Sequence, residues 1–179
     1  ALRDGEYAAL LILLFPAVGL LLAAWAVVAV LRWRRYGDSV FQMTKVPGVI
    51  GGPLEGVIYT NVHIRPEDGF KLTLNCVNRR VTGSGKSRTT RETVLWEDSR
   101  FLQRELLEKD TTRSAIPVLF SIPFDCQQTN EEDPNDSIFW RLDAEAAVPG
   151  VDYSAQFEVP VFKTPDSQES FVADETPIA

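Results

Sequence analysis

The chain has one histidine, one methionine and two cysteines in 179 residues. Each shortage excludes a class of chemistry. A lone His63 cannot build a histidine-rich zinc site, and Cys76 and Cys126 lie far apart without a C-x-x-C pair. No metal centre is expected. A Ser–His–acid or Cys–His arrangement would need His63 as its base, and no G-x-S-x-G elbow accompanies it. His63 sits opposite an apolar row and reads as a surface strand residue. Cys76 falls on the apolar face of a strand pattern. Cys126 reads as the more exposed thiol, and no neighbour in sequence would lower its pKa. The two could pair, but two cysteines are no disulfide framework. The acidic stretch 130–136 (NEEDPND) lacks the alternating ligands and turn glycine of a calcium loop, and reads as solvated. No catalytic residue, cofactor or small-molecule substrate is expected, so the chain is not expected to be an enzyme.

Basic charge is also short where nucleic acid would need it. The formal charge is −7. Residues 1–37 carry four basic and two acidic groups, which leaves fourteen basic against twenty-three acidic beyond them. An acidic domain has little with which to neutralise phosphates, so nucleic acid is excluded as a general partner. The chain opens on Ala1 rather than Met, as a processed or excised piece of a longer protein would.

What is present begins with an uncharged run, Tyr7 to Leu31, of 25 residues. As a helix it would be about 37 Å long, enough to cross a hydrocarbon core of about 30 Å. Its Leu, Val, Ile and Phe residues together favour insertion by about 4–8 kcal/mol, more than Pro16 and Gly19 would cost. It is too long for a secretory signal and too apolar on every face for a core helix. A transmembrane helix over 7–31 is expected, with residues 1–6 as its extracytoplasmic flank. Arg32, Trp33, Arg34 and Arg35 follow at once, which places the carboxyl side in the cytoplasm. Residues 32–46 read as a basic juxtamembrane linker.

From there the period changes to two. Ile58, Thr60, Val62 and Ile64 share a face, as do Phe70, Leu72, Leu74 and Cys76. Val94 pairs with Trp96 in the same way. Ile116 to Phe124, Ile138 to Val148 and Tyr153 to Val161 give three longer alternating rows. Such alternation predicts half-buried antiparallel strands. Gly- and Pro-containing turns between the rows predict six or seven strands in an all-β sandwich over 47–163. The stretch 98–109 (DSRFLQRELLEK) fits neither period well, and Asp98 or Ser99 could cap a short helix. Residues 164–179 read as an acidic disordered tail.

TGSGKS, residues 82–87, ends like a phosphate loop. The first glycine of that motif is missing, because Arg80 stands in its place, and the following SRTTRETVLW is strand-like. A hairpin tip is predicted instead, with glycines supplying positive φ. Lys71, Arg79, Arg80, Lys86, Arg88 and Arg91 make residues 71–91 basic, with no acid among them. A solvated surface that discourages edge pairing would account for this. Beside a bilayer the same charge could meet anionic headgroups, each Lys or Arg adding about 1 kcal/mol. The membrane-interface set would then be Arg32, Trp33, Arg34 and Arg35 with Arg79, Arg80, Lys86 and Arg88.

The strand Ile116–Pro123 (IPVLFSIP), the acidic loop, then Ser137–Ala146 (SIFWRLDAEA) and Phe157–Phe162 (FEVPVF) resemble the late strands of an arrestin-like sandwich. Arg32–Gly37 and Pro47–Gly56 are similar to the junction and opening of the soluble tail in a poorly characterised family of bacterial integral-membrane proteins. The resemblance implies an Ig-like or arrestin-like antiparallel β-sandwich and a role in protein contacts, and it carries no catalytic residues. The leading expectation is a membrane-anchored, non-catalytic interaction domain with the lipid bilayer and an unidentified protein as partners. The alternatives are an anionic-lipid sensing module working through the 71–91 hairpin, and an extracytoplasmic envelope hydrolase or accessory.

Overall fold

The computed structural model describes residues 16, 18–28, 30, 35–104, 113–169 and 171. Residues 18–28 are helical, and Leu20, Leu21, Leu22, Trp25 and Val27 on that stretch are all exposed. Among the described residues no helix is long and apolar enough to cross a membrane. Of the expected span over 7–31, residues 7–15, 17, 29 and 31 lie outside the described residues.

Ten strands are described: β1 (Ser39–Met43), β2 (Gly48–Val49), β3 (Gly52–Thr60), β4 (Gly69–Thr82), β5 (Thr89–Gln103), β6 (Ala115–Ile122), β7 (Asn130–Asp133), β8 (Asp136–Ala146), β9 (Tyr153–Val159) and β10 (Val161–Phe162). They form two antiparallel sheets. One has the order β1-β3-β6, and the other runs β5-β4-β8. β7 pairs with the start of β8 and β9 with the rest. A short parallel pair of β2 and β10 joins the ends of the domain.

The predicted inner rows meet between the sheets. Leu54, Ile58, Ile116, Phe120 and Ile122 from one side face Phe70, Leu72, Leu74, Cys76, Trp140 and Leu142 from the other, all essentially inaccessible. Burial of alternate residues is what makes these segments strands, since one face gains the core and the other keeps water. An antiparallel β-sandwich is therefore what the described residues of 39–162 form.

Several boundaries differ from the sequence reading. Residues 39–43, expected as linker, are β1, and Phe41 and Met43 pack against the core. The alternating row from Ile58 outlasts its ladder. β3 ends at Thr60, yet Ile64 is buried because Ser114 Oγ accepts its backbone N–H at 2.8 Å. The ambiguous stretch resolves as strand up to Gln103, and residues 105–112 lie outside the described set. Part of the expected acidic loop is β7. The start of the expected tail is tied down: Gln168 N–H donates to Gly51 O at 3.2 Å, and Lys45 pairs with Asp166. Beyond Gln168 only Glu169 and Phe171 are described.

Val94 does not share a face with Trp96. Cys76 pairs with Trp96 but Val77 pairs with Val94, so Leu95 is an extra residue in β5. A bulge of this kind reverses the side-chain alternation on the bulged strand. Trp96 turns to the core, 5.5 Å from the Trp140 ring, while Val94 joins Val77 on the outer face and is 50% exposed.

Candidate interaction surfaces

The basic residues singled out in the sequence fall at two ends of the sandwich, and the register of β4 sets them apart. Lys71 near the start of β4 pairs with Glu145 near the end of β8. The chain then passes through Val148 to Tyr153, where the first described residues after the apolar segment are held. Arg35 Nη1 donates to Pro149 O at 2.7 Å, and Tyr36 OH donates to Val151 O. Tyr36 is buried edge-on against Tyr153, 5.4 Å between ring centres. This end, where the expected anchor would join the sandwich, is termed the anchor pole.

At the other end of β4, Arg80 pairs with Asp136, and the hairpin tip follows at residues 83–88. Fourteen residues of extended strand separate the poles by about 45 Å. Screening confines electrostatic attraction to about 8–10 Å at physiological salt. The expected interface set is therefore split. Arg35 lies at the anchor pole, and Arg79, Arg80, Lys86 and Arg88 lie toward or at the far pole. Arg32, Trp33 and Arg34 fall outside the described residues.

The hairpin's charge is also partly spent. Arg79 Nε bonds Glu92 Oε1 at 3.0 Å, and its guanidinium lies 4.4 Å from the Phe139 ring centre. Arg80 Nη2 reaches Asp136 Oδ2 at 2.8 Å. Asn78 and Arg80 together hold the Asp136 carboxyl below its ordinary pKa, the Asn78 hydrogen bond contributing most. Lys86, Arg88 and Arg91 are exposed and make no ion pair with a described residue. The tip is the predicted turn, not a nucleotide loop. Gly83 has φ of 81°, and a Cβ there would lie 2.2 Å from Ser87 O.

Sequence reasoning undervalued the outer edge of this hairpin. β5 bonds β4 along its whole length and has no partner on its other side among the described residues. Thr89 to Leu95 are all exposed, and Phe101 is 58% exposed. The signal was the length of the strand-like run after the tip, obscured by the helix-like composition of 98–109.

Burial disfavours the thiolate form of both cysteines. Both are free. Burial pushes the Cys76 thiol up to about 11, against a lowering by a backbone hydrogen bond with Gln127. Burial pushes Cys126 up to about 12, aided by the Asp125 carboxylate and by Cys76. Cys126, expected to be exposed, instead packs beside the core. At pH 8 only about one thiol in a thousand or fewer would be thiolate, against roughly a quarter for a free cysteine. Disulfide-exchange labelling of the folded chain at pH 8 should run at least about 100-fold slower than in urea. Equal rates in the two conditions would show that these side chains are not enclosed.

His63 is misplaced by the strand reading. It lies in the bend after β3, half-buried, and its Nδ1 is enclosed without a hydrogen-bond partner among the described residues. It lines the anchor pole, together with Arg35 and Arg65.

No protein-family model and no curated protein matches the chain. Among solved structures it is similar to Spo0M, a sporulation control protein from Bacillus subtilis, at 14% identity and a TM-score of 0.45. That match covers 72% of this chain and 50% of the other, so the chain spans about half the length of that protein. The sandwich assignment rests on the strand pairing above.

Proposed function

We propose that this chain is a membrane-anchored, non-catalytic β-sandwich of the arrestin-like or Ig-like kind. In this reading it stands in a bacterial inner membrane with the sandwich in the cytoplasm, and a protein partner adds a strand to the free edge of β5. The observation that carries it is that edge: fifteen residues bonded on one side only among the described residues, with exposed Val94, Leu95 and Phe101 along it. An unpaired strand of this length offers a row of backbone donors and acceptors to an extended segment, while flanking side chains select it. The uncharged run over 7–31 and the basic residues after it support the anchor and the orientation. The raised thiol pKa values are consistent with a role in contact rather than cysteine chemistry.

Photo-crosslinking side chains placed at Leu95 and Phe101 in intact membranes test the edge. Protein adducts are expected there, and none from Glu55 on the outer face of the opposite sheet. Adducts from Glu55 alone, or from none of the three, would remove β5 as the docking edge. Reporter fusions after Lys163 should be active in the cytoplasm, and a periplasmic signal would reverse the orientation.

A further inference from the structure

The anchor pole holds a cavity of about 340 Å³ between Arg35, the bend at 62–65 and the turn at Val148–Pro149. Its polar lining is cationic or neutral, and none of its described residues is acidic. Arg35 is fixed in place. One Nη1–H is used on Pro149 O, the guanidinium lies 5.5 Å from the Tyr36 ring centre, and Gly150 (φ 97°) leaves the room in which Nη1 sits. Its other N–H groups have no partner among the described residues. Arg65 on the facing bend is exposed and unpaired among the described residues. His63 lines the same cavity, and its Nδ1 is enclosed without a hydrogen-bond partner among the described residues. Val62, Val148 and Pro149 form the apolar wall.

Two guanidiniums and an imidazole around a small concavity, with no carboxylate on its lining, form a receptor for an anion with several acceptor oxygens. Guanidinium forks match phosphate oxygens, and an enclosed, unpartnered ring nitrogen costs free energy until something bonds it. We infer that the cavity between Arg35, His63 and Arg65 binds a phosphate group. A lipid headgroup is the source that its position favours, because Arg35 lies four residues beyond the apolar run. That choice of source rests on the anchored reading above, whereas the phosphate site itself does not. The far-pole residues Arg80 and Lys86 have no part in it.

His63 is the only histidine, so its ring gives a single resonance pair in the full-length chain. In a neutral detergent, adding phosphatidylglycerol should shift that pair saturably, while phosphatidylcholine should leave it in place. Arg35→Gln with Arg65→Gln should weaken the response at least about tenfold. Arg80→Gln with Lys86→Gln should not change it. Thermal melting of each variant separates lost binding from lost fold. If the anchor-pole variant melts well below the parent, Arg65→Lys replaces it, keeping the charge but losing the fork, and a weaker response is expected. Inorganic phosphate forms the second arm. A response to it as strong as to the lipid would keep the site and assign it to free phosphate. A silent His63 with both ligands, or equal loss from the far-pole variant, would overturn the site. Release of the chain from membranes by alkaline carbonate would instead overturn the anchor, and would leave the phosphate response to be read on the soluble chain.

Discussion

Trp140→Ala is expected to lower the unfolding free energy of the sandwich by about 4 kcal/mol, the largest loss for any single truncation. Trp140 is fully buried at the middle of β8, paired with Cys76 on β4 and Val159 on β9. Its ring lies 5.5 Å from Trp96, and its Nε1–H donates to Gln127 O at 3.0 Å. Truncation removes the largest inaccessible side chain and leaves a cavity that paired strands on both sides cannot close. Among the described residues it also leaves the Gln127 carbonyl with only the weak Cys76 Sγ contact at 3.7 Å. Trp140→Phe keeps most of the volume and drops the donor, so it should cost about 1–2 kcal/mol. Urea unfolding of the full chain in neutral detergent measures both. The alanine variant should also melt roughly 10 °C lower. A change under about 1 kcal/mol for the alanine variant would mean that Trp140 does not organise the core.

Gly69→Ala should cost about 3 kcal/mol, through backbone rather than core. Gly69 opens β4 at φ 156°, and a Cβ on it would stand 2.0 Å from Leu102 O. That atom belongs to the β5 backbone and cannot swing aside as a side chain would. The start of β4 must separate from the end of β5, with the Arg104 N–H bond to Asp68 O at 3.1 Å going with it. Amide exchange should rise over Arg100–Gln103 and stay slow around Cys76. Gly85→Ala is the control. Gly85 has φ of 58° with nothing within 4 Å, so only left-handed strain of about 1 kcal/mol is expected. Equal losses at the two glycines would show that the close approach at Leu102 is not the cause.

The contrast between these sites shows what could be read from residues alone. The inner faces of β3, β4, β6 and β8 were legible because alternation directly reports which side chains leave water. The tip at Gly83–Gly85 was legible because backbone conformation there is a property of the residues themselves. β1 was missed because its five residues contain only three apolar side chains, too few to show a period. The bulge at Leu95 was invisible for a different reason. It exists only in relation to the partner strand, where Cys76 and Val77 meet Trp96 and Val94.

The candidate surfaces divide in the same way. The basic residues of 71–91 could be counted, but not the acids that meet them. Glu92 lies just past that window, while Asp136 reaches Arg80 from a strand more than fifty residues later. Grouping Arg35 with Lys86 was reasonable for a linear charge pattern. Only the pairing of β4 with β8 shows them at opposite poles. The cavity of Arg35, His63 and Arg65 likewise needs the turn at Pro149 to close it.

By itself, then, the order of residues determined the long strands β3, β4, β6 and β8, their buried sides and the tight turn at 82–87. Those follow from local alternation and from intrinsic backbone preference. Tertiary structure decided which edge stays open, where the bulge reverses a face, and which charges share a pole. Each of those depends on register between segments distant in the chain, and register is settled only when whole apolar faces pack against one another.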